Sequence, residues 1–305
     1  MLDLPRTKPG FVGRSNELNR LRGGLGEYPI VAVEGQAGTG KTSLVLELAN
    51  ELREKGRSVL WVQAREGWST ESVLLVLSQH WEIEFPPHLS TRQHLVRLAT
   101  ALARTKTYLF LDDFHLLSDR STLFEVMKAH LRQVSVVLTG RTRVEADSIR
   151  RLDCAIIQLE SLALDEVDRL LRQMLERHGL SPWLEPSLFG ELKEKSLGSP
   201  LLCKLLVSLL LQGRLSTLKD LRLVQDEIYG LLIAELEQGL GAEELDLLRR
   251  LSVYRFPVPR EALPEGESTD ECLERLVDRL LVEPTPGRRF TVHDVFRDYY
   301  QSHLE

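Results

Sequence analysis

The sequence predicts an α/β fold with a parallel sheet, continued by a helical domain and then by a winged-helix domain. Three observations carry that prediction. Ile30 to Leu48, IVAVEGQAGTGKTSLVLEL, passes from an apolar run into a glycine-rich loop and then into Leu44, Val45 and Leu48 at helical spacing. Apolar strands recur at Ser58–Gln63, Thr107–Asp113, Val134–Thr139 and Ala155–Leu159, with helical stretches between them at the spacing of βαβ units. From Leu164 the pattern becomes helical, and it closes on a short β-ribbon between helices.

Composition narrows the class. A chain of 305 residues, 43% of them hydrophobic, has material for more than one core. The net charge of −6 offers no bulk attraction to nucleic acid. Cys154, Cys203 and Cys272 stand apart without metal-ligand spacing, which fits a reducing compartment. No stretch approaches the roughly 20 apolar residues that span a bilayer. The start, MLDLPRTKPG, lacks the apolar core of a signal peptide. A cytoplasmic chain with no membrane partner is expected.

Residues 1–10, polar with two prolines, are expected to form an extended lead-in. Phe11 and Val12 are apolar, Gly13 permits a turn, and Ser15 to Leu21 starts an amphipathic helix. Between the first strand and its helix stands Gly35-x-x-x-x-Gly40-Lys41-Thr42, a complete P-loop signature in its strand–loop–helix context. Gly35, Gly38 and Gly40 allow the backbone to wrap closely around phosphates, so the N–H groups from Gly35 through Gln36, Ala37 and Thr39 turn inward. The helix start at Lys41, Thr42 and Ser43 adds unsatisfied donors and partial positive charge. Lys41 is expected to reach the β- and γ-phosphates, and the Thr42 hydroxyl to take a place on Mg²⁺. A glycine-rich turn that binds nothing would need none of the four fixed positions. All four are present, so the chain is expected to bind a nucleoside triphosphate.

Gly56 ends the P-loop helix. Trp68 to Trp81 is expected to be helical, broken by Pro86-Pro87, and Thr91 to Arg104 forms another helix with Leu95, Leu98 and Leu102 on one side. Two carboxylates closing the strand TYLFLDD are poor packing choices unless they bind something. The pair looks like a Walker B motif: Asp112 is expected to hold Mg²⁺, and Asp113 to polarise the attacking water. Val134 to Thr139 delivers Arg141 to the strand ends where ligands bind, with Arg143, Arg150 and Arg151 nearby.

Leu164, Val167, Leu170, Leu171, Met174 and Leu175 form an apolar stripe. Gly198-Ser199-Pro200 reads as a glycine stop, a serine N-cap and a proline at the first helical position. From about Val224 further helices follow. Glu271–Leu281 is expected to be helical, with Leu273, Leu276, Val277 and Leu280 inward. Leu281–Glu283 and Phe290–Val292 flank a turn that suits a wing, and His293-Asp294 opens the last helix.

In order, these motifs resemble the NB-ARC module of STAND-class P-loop ATPases, over nearly the whole chain. The resemblance implies an AAA-type, five-stranded sheet in the order 5-1-4-3-2. It implies domains at 1–160 (nucleotide-binding), 161–223 (helical lid) and 224–305 (winged helix). Val12, Gly13, Arg14, Glu17 and Leu18 match its "hhGRxxEL" segment, which sets Val12 and Arg14 against adenine and ribose. VVLTGRTR resembles its sensor-1 segment, with Arg141 sensing the γ-phosphate. Gly198-Ser199-Pro200 matches "GxP", where Pro200 covers the base. Val292-His293-Asp294 stands where the family has "MHD", and implies that His293 reaches the ADP β-phosphate.

The implied function is a slow ATPase switch, closed with ADP and self-associating with ATP. Such modules carry sensor and effector domains that this sequence does not contain, so it is expected to be part of a longer protein. The alternative is an origin-recognition-like AAA ATPase whose winged helix binds DNA. Against it, the candidate recognition helix sets Asp270, Glu271, Glu274 and Asp278 against Arg275 and Arg279, and the wing offers Arg288 and Arg289. Phosphate contacts of the kind that dominate DNA affinity are hard to assemble there.

Overall fold

The strands of the first half of the chain assemble into one all-parallel sheet. The computed structural model describes residues 4, 11–80, 84, 86, 88–102, 107–130, 134–141, 154–180, 185–214, 228–254, 256–285 and 287–303. The lead-in (Leu4 apart), Trp81, Pro87, Arg104, Arg143, Arg150, Arg151 and Val224 lie outside the described residues. The chain divides into two units, Met1–Glu160 and Ser161–Glu305.

The first unit contains α1 (Ser15–Glu27), β1 (Ile30–Glu34), α2 (Lys41–Glu54), β2 (Ser58–Gln63), α3 (Thr70–His80), α4 (Thr91–Leu102), β3 (Thr107–Asp112), α5 (Arg120–His130), β4 (Ser135–Gly140) and β5 (Cys154–Gln158). The sheet order is β2-β3-β4-β1-β5, which from the other edge is the expected 5-1-4-3-2. β1 lies between β4 and β5 and is buried at every position. Its side chains alternate between two cores, as a strand with both faces covered requires. Ile30 packs with Leu60, Leu109 and Val136 on one face, while Val31 and Val33 pack with Leu21, Leu44 and Phe110 on the other. The pairings Glu34↔Gly140, Leu111↔Leu138 and Gln63↔Asp112 bring the carboxyl ends of β1 to β4 to one edge.

Local chemistry sets the boundaries that differ from expectation. β3 stops at Asp112 because Asp113 turns into the left-handed region, φ 56°. α3 begins at Thr70 instead of Trp68: Gly67 turns the chain with φ 77°, and the Asp119 carboxylate accepts from Thr70 N at 2.6 Å. In α4, Leu98 is buried as expected.

The second unit contains α6 (Leu164–Arg177), α7 (Pro186–Lys195), α8 (Pro200–Leu211), α9 (Ile228–Gln238), α10 (Ala242–Val253), β6 (Val258–Pro259), α11 (Glu267–Asp278), β7 (Val282–Thr285), β8 (Arg289–Val292) and α12 (Asp294–Ser302). In α6, Val167, Leu170, Leu171 and Leu175 are buried, but Leu164 is 66% exposed. It occupies the first helical position, beyond the packed turns. α8 is buried on nearly every side, as its all-apolar sequence demands. Lys204 pairs with Glu283, and Ser208 Oγ donates to Arg279 O, so α8 is tied to β7 and to the residue after α11. The segments 161–223 and 224–305 therefore pack into one unit.

The three C-terminal strands form an antiparallel sheet in the order β6-β8-β7. The expected ribbon is longer than read, with β7 running to Thr285 and pairing with Arg289. β6 was not foreseen, since two residues carry no readable period. α11 spans Glu267–Asp278 rather than Glu271–Leu281: Gly266 starts it with φ 137°, and Leu280 lies past its end with φ 62°.

Glu244 braces this part of the fold. Its carboxylate accepts from Gly241 N (2.9 Å), Arg275 Nε (2.8 Å) and Arg279 Nη1 (2.9 Å). Burial opposes its charge, but the Gly241 N–H and the two guanidiniums outweigh burial and hold the carboxyl below its ordinary value. Stability from such a group is present above the unfolded glutamate pKa of about 4.3 and is lost as pH falls through the lower folded value. Glu244→Gln is expected to reduce unfolding free energy by about 1–3 kcal/mol at pH 7. Urea unfolding should find a smaller deficit at low pH; a pH-independent one would mean that packing, not charge, had been lost.

Candidate functional site

The loop between β1 and α2 owes its shape to three glycines. At Gly35 a Cβ would lie 2.5 Å from Leu159 O, so no side chain fits. Gly35 N donates to Gly140 O at 3.3 Å, which fixes the loop's start to the end of β4. Gly38 (φ 77°) and Gly40 (φ 92°) take conformations that side chains disfavour. Thr39 Oγ1 donates to Gln36 O at 2.9 Å and closes the turn. Gln36 is exposed, Ala37 and Ser43 are half-buried, and α2 presents its first N–H groups at Lys41 and Thr42. Lys41 Nζ folds across the loop and donates to Gly35 O (2.9 Å) and Gln36 O (2.7 Å).

The acidic side of the site converges on Asp112, which is 1% exposed. Its Oδ1 accepts from Thr42 Oγ1 at 3.1 Å and from Thr139 Oγ1 at 2.6 Å. Thr139 Oγ1 also accepts from Asp113 N at 2.9 Å, so one hydroxyl holds both acids in register. Asp113 Oδ2 accepts from Gln63 Nε2 at 3.4 Å. Arg141 follows β4 directly, half-buried, next to the Gly140 carbonyl that receives Gly35 N. The sequence reading missed Thr139 and Gln63. The available signal was a polar residue closing each of two apolar strands, at the edge where the carboxylates end a third.

Val12 is half-buried and leads through Gly13 (φ 76°) to Arg14, which caps α1 from the left-handed region. The Arg14 guanidinium donates to Glu17, to Thr39 O within the loop and to Glu160 O. In the second unit, Gly198 (φ 73°) has no room for a side chain, because a Cβ would meet Leu162 O at 2.7 Å. Ser199 Oγ caps α8 by accepting from Leu202 N at 3.3 Å, and Pro200 is its first helical residue. At α12, His293 is extended and its Nδ1 accepts from Val295 N at 3.2 Å, so His293 is the cap. Asp294 pairs with Arg297. An accepting Nδ1 leaves the ring's proton on Nε2, where it can be donated.

The first-unit residues suit a phosphate chain with a hard cation. The loop offers N–H groups, a helix start and an ammonium, and Thr42 and Asp112 bring two oxygens together of the kind Mg²⁺ selects.

The NB-ARC domain family matches residues 15–179. No curated protein matches the sequence at a significant level. Among solved structures, a STAND protein with a tetratricopeptide repeat sensor from Pyrococcus horikoshii superposes at a TM-score of 0.68 with 20% identity, over 99% of this chain and 44% of that one. The Walker-type ATPase of Pyrococcus abyssi gives 0.54 and 17% over 99% of this chain and 100% of that one. The Aeropyrum pernix ORC1 protein in complex with DNA gives 0.53 and 15% over 98% and 96%. At these identities the likeness is one of fold, and the chain spans less than half of the STAND protein's length. No helix among the described residues is long and apolar enough to cross a membrane. The match over residues 15–179 covers more than half of the sequence, and the chain belongs to the NB-ARC family, built as a P-loop NTPase.

Proposed function

We propose that the chain is the regulatory ATPase switch of a STAND-type protein, closed with ADP, self-associating with ATP and reset by slow hydrolysis. The observation that carries this reading is the convergence of Thr42 and Thr139 on Asp112 beside the P-loop, with the Asp113 N–H held by the same Thr139 hydroxyl. Loop N–H groups and Lys41 hold the phosphates, while Thr42 and Asp112 would hold Mg²⁺, which would supply neutralising charge to the phosphates. Asp113 orients water toward the γ-phosphate, on a backbone that Thr139 fixes. Val12 and Pro200 flank the adenine, and His293 donates from Nε2 to the ADP β-phosphate. Residues 161–223 act as a lid and 224–305 as a winged helix, in a cytoplasmic protein. A γ-phosphate can bias such a switch because it adds contacts that ADP lacks.

Chromatography of the nucleotide released on denaturing the purified protein tests the reading. ADP or ATP is expected; a guanine nucleotide, or none, would sink it. Arg141→Ala is expected to weaken ATP binding by about tenfold or more, the worth of one charge-assisted hydrogen bond, and ADP binding much less. Calorimetric titration with both nucleotides checks this, and equal losses would make Arg141 structural.

The fold shared with ORC1 motivates a second reading, DNA binding through the terminal sheet and α11. The two arginines of its candidate recognition helix, Arg275 and Arg279, are engaged with Glu244 instead. Tight duplex binding in a low-salt titration would restore that reading.

A further inference from the structure

Arg14 is 5% exposed, and its backbone φ of 61° is one that a side-chain-bearing residue adopts at some cost. Nη1 donates to Glu17 Oε1 at 2.9 Å, and Nη2 donates to Thr39 O at 3.3 Å and to Glu160 O. Thr39 belongs to the P-loop. Glu160 is the last residue of the first unit. The residue before it is also gripped by the loop's start, since Leu159 N donates to Glu34 O at 2.6 Å and Leu159 O fills the space beside Gly35. Past Glu160 the chain runs through Ser161 to Leu162, whose N–H donates to Gly198 O at 2.8 Å. A buried guanidinium bridging two carbonyls 121 positions apart does more than the start of a surface helix requires.

We propose that Arg14 is a positioning residue that couples the P-loop to the exit peptide Leu159–Leu162, so that loading the loop with nucleotide orders that peptide. The proposal rests on the nucleotide reading above. Phosphate draws the loop's N–H groups inward, and each such N–H shares a peptide plane with the preceding carbonyl. The Thr39 carbonyl belongs to the plane of Gly40 N–H, so binding there repositions the acceptor that Arg14 holds. The planar guanidinium transmits this because it engages two carbonyls and a carboxylate together; an ammonium is a point charge and cannot.

Hydrogen exchange of the fragment covering 158–163, with and without saturating Mg·ADP, tests the coupling. In the wild-type chain ADP should slow exchange there by about tenfold or more. Arg14→Lys should bind ADP more weakly and, once saturated, show less than about twofold slowing. A purely structural arginine would lower the melting temperature but leave the ADP-dependent slowing intact at saturation, and that result would overturn the proposal. Should Arg14→Lys fail to fold, Glu17→Gln decides, because it removes only the carboxylate that orients the guanidinium. It should give intermediate slowing, and full slowing would count against the coupling. Wild-type protein that binds no ADP would defeat the nucleotide reading separately. The coupling would then be judged without nucleotide, where Arg14→Lys must speed exchange of the same fragment; an unchanged rate would overturn it.

Discussion

Lys41→Ala is expected to strip the chain of its nucleotide. Residues 35–40 carry no charged side chain, so Lys41 brings the loop its full positive charge. The ammonium is held at the loop by Gly35 O and Gln36 O, at 2.9 and 2.7 Å. Two charge-assisted hydrogen bonds to phosphate, at about 1.5–3 kcal/mol each, correspond to a loss of roughly 10²–10⁴ in affinity. Alanine also leaves the Gly35 and Gln36 carbonyls without that donor and loosens the cradle. Lys41→Arg should rescue little, because a planar fork does not fit where a compact ammonium sits between two carbonyls. Equilibrium titration and the nucleotide content of purified protein measure the effect. A Lys41→Ala chain that still retains stoichiometric nucleotide would show that phosphate is held in some other way.

Much of this site could be read before any geometry was known, for definite physical reasons. The P-loop demands glycines where the backbone is crowded or left-handed, and Gly35, Gly38 and Gly40 meet those demands. The sheet was legible because β1, β3 and β4 are buried on both faces and appear as short unbroken apolar runs. Less legible were contacts that depend on register. Thr139 reaches Asp112 because β3 and β4 pair Leu111 with Leu138, an alignment no local pattern specifies. Arg14 and Glu160 are far apart in sequence, and their bond follows only from how the end of β5 passes the loop. The His293 cap turned on one residue of helix boundary, the least determinate feature of any helix.

Asp113→Asn and Asp112→Asn are expected to fail in different ways, and Thr139 to couple them. Asp112 is buried and anchored by two hydroxyls at Oδ1, the geometry of a group that must not move. Asparagine there can still accept both hydroxyl bonds, so the fold should survive while metal-dependent binding weakens. Asp113 is half-buried and left-handed, with its N–H fixed by Thr139 and its Oδ2 near Gln63. Neutralising it should leave Mg²⁺-nucleotide binding largely intact and slow hydrolysis by about 10²-fold or more, the range of a lost general base. Thr139→Val keeps the shape but removes the hydroxyl that holds both acids. It should lower kcat by about tenfold, with Thr139→Ser restoring most of the rate, since each hydrogen bond is worth about 1 kcal/mol or somewhat more. Single-turnover hydrolysis across a Mg²⁺ series separates the effects: Asp112→Asn should shift the metal dependence, Asp113→Asn the limiting rate, and Thr139→Val both. Equal kinetic losses from the two asparagine variants, or a serine that rescues nothing, would refute the division of labour between the carboxylates.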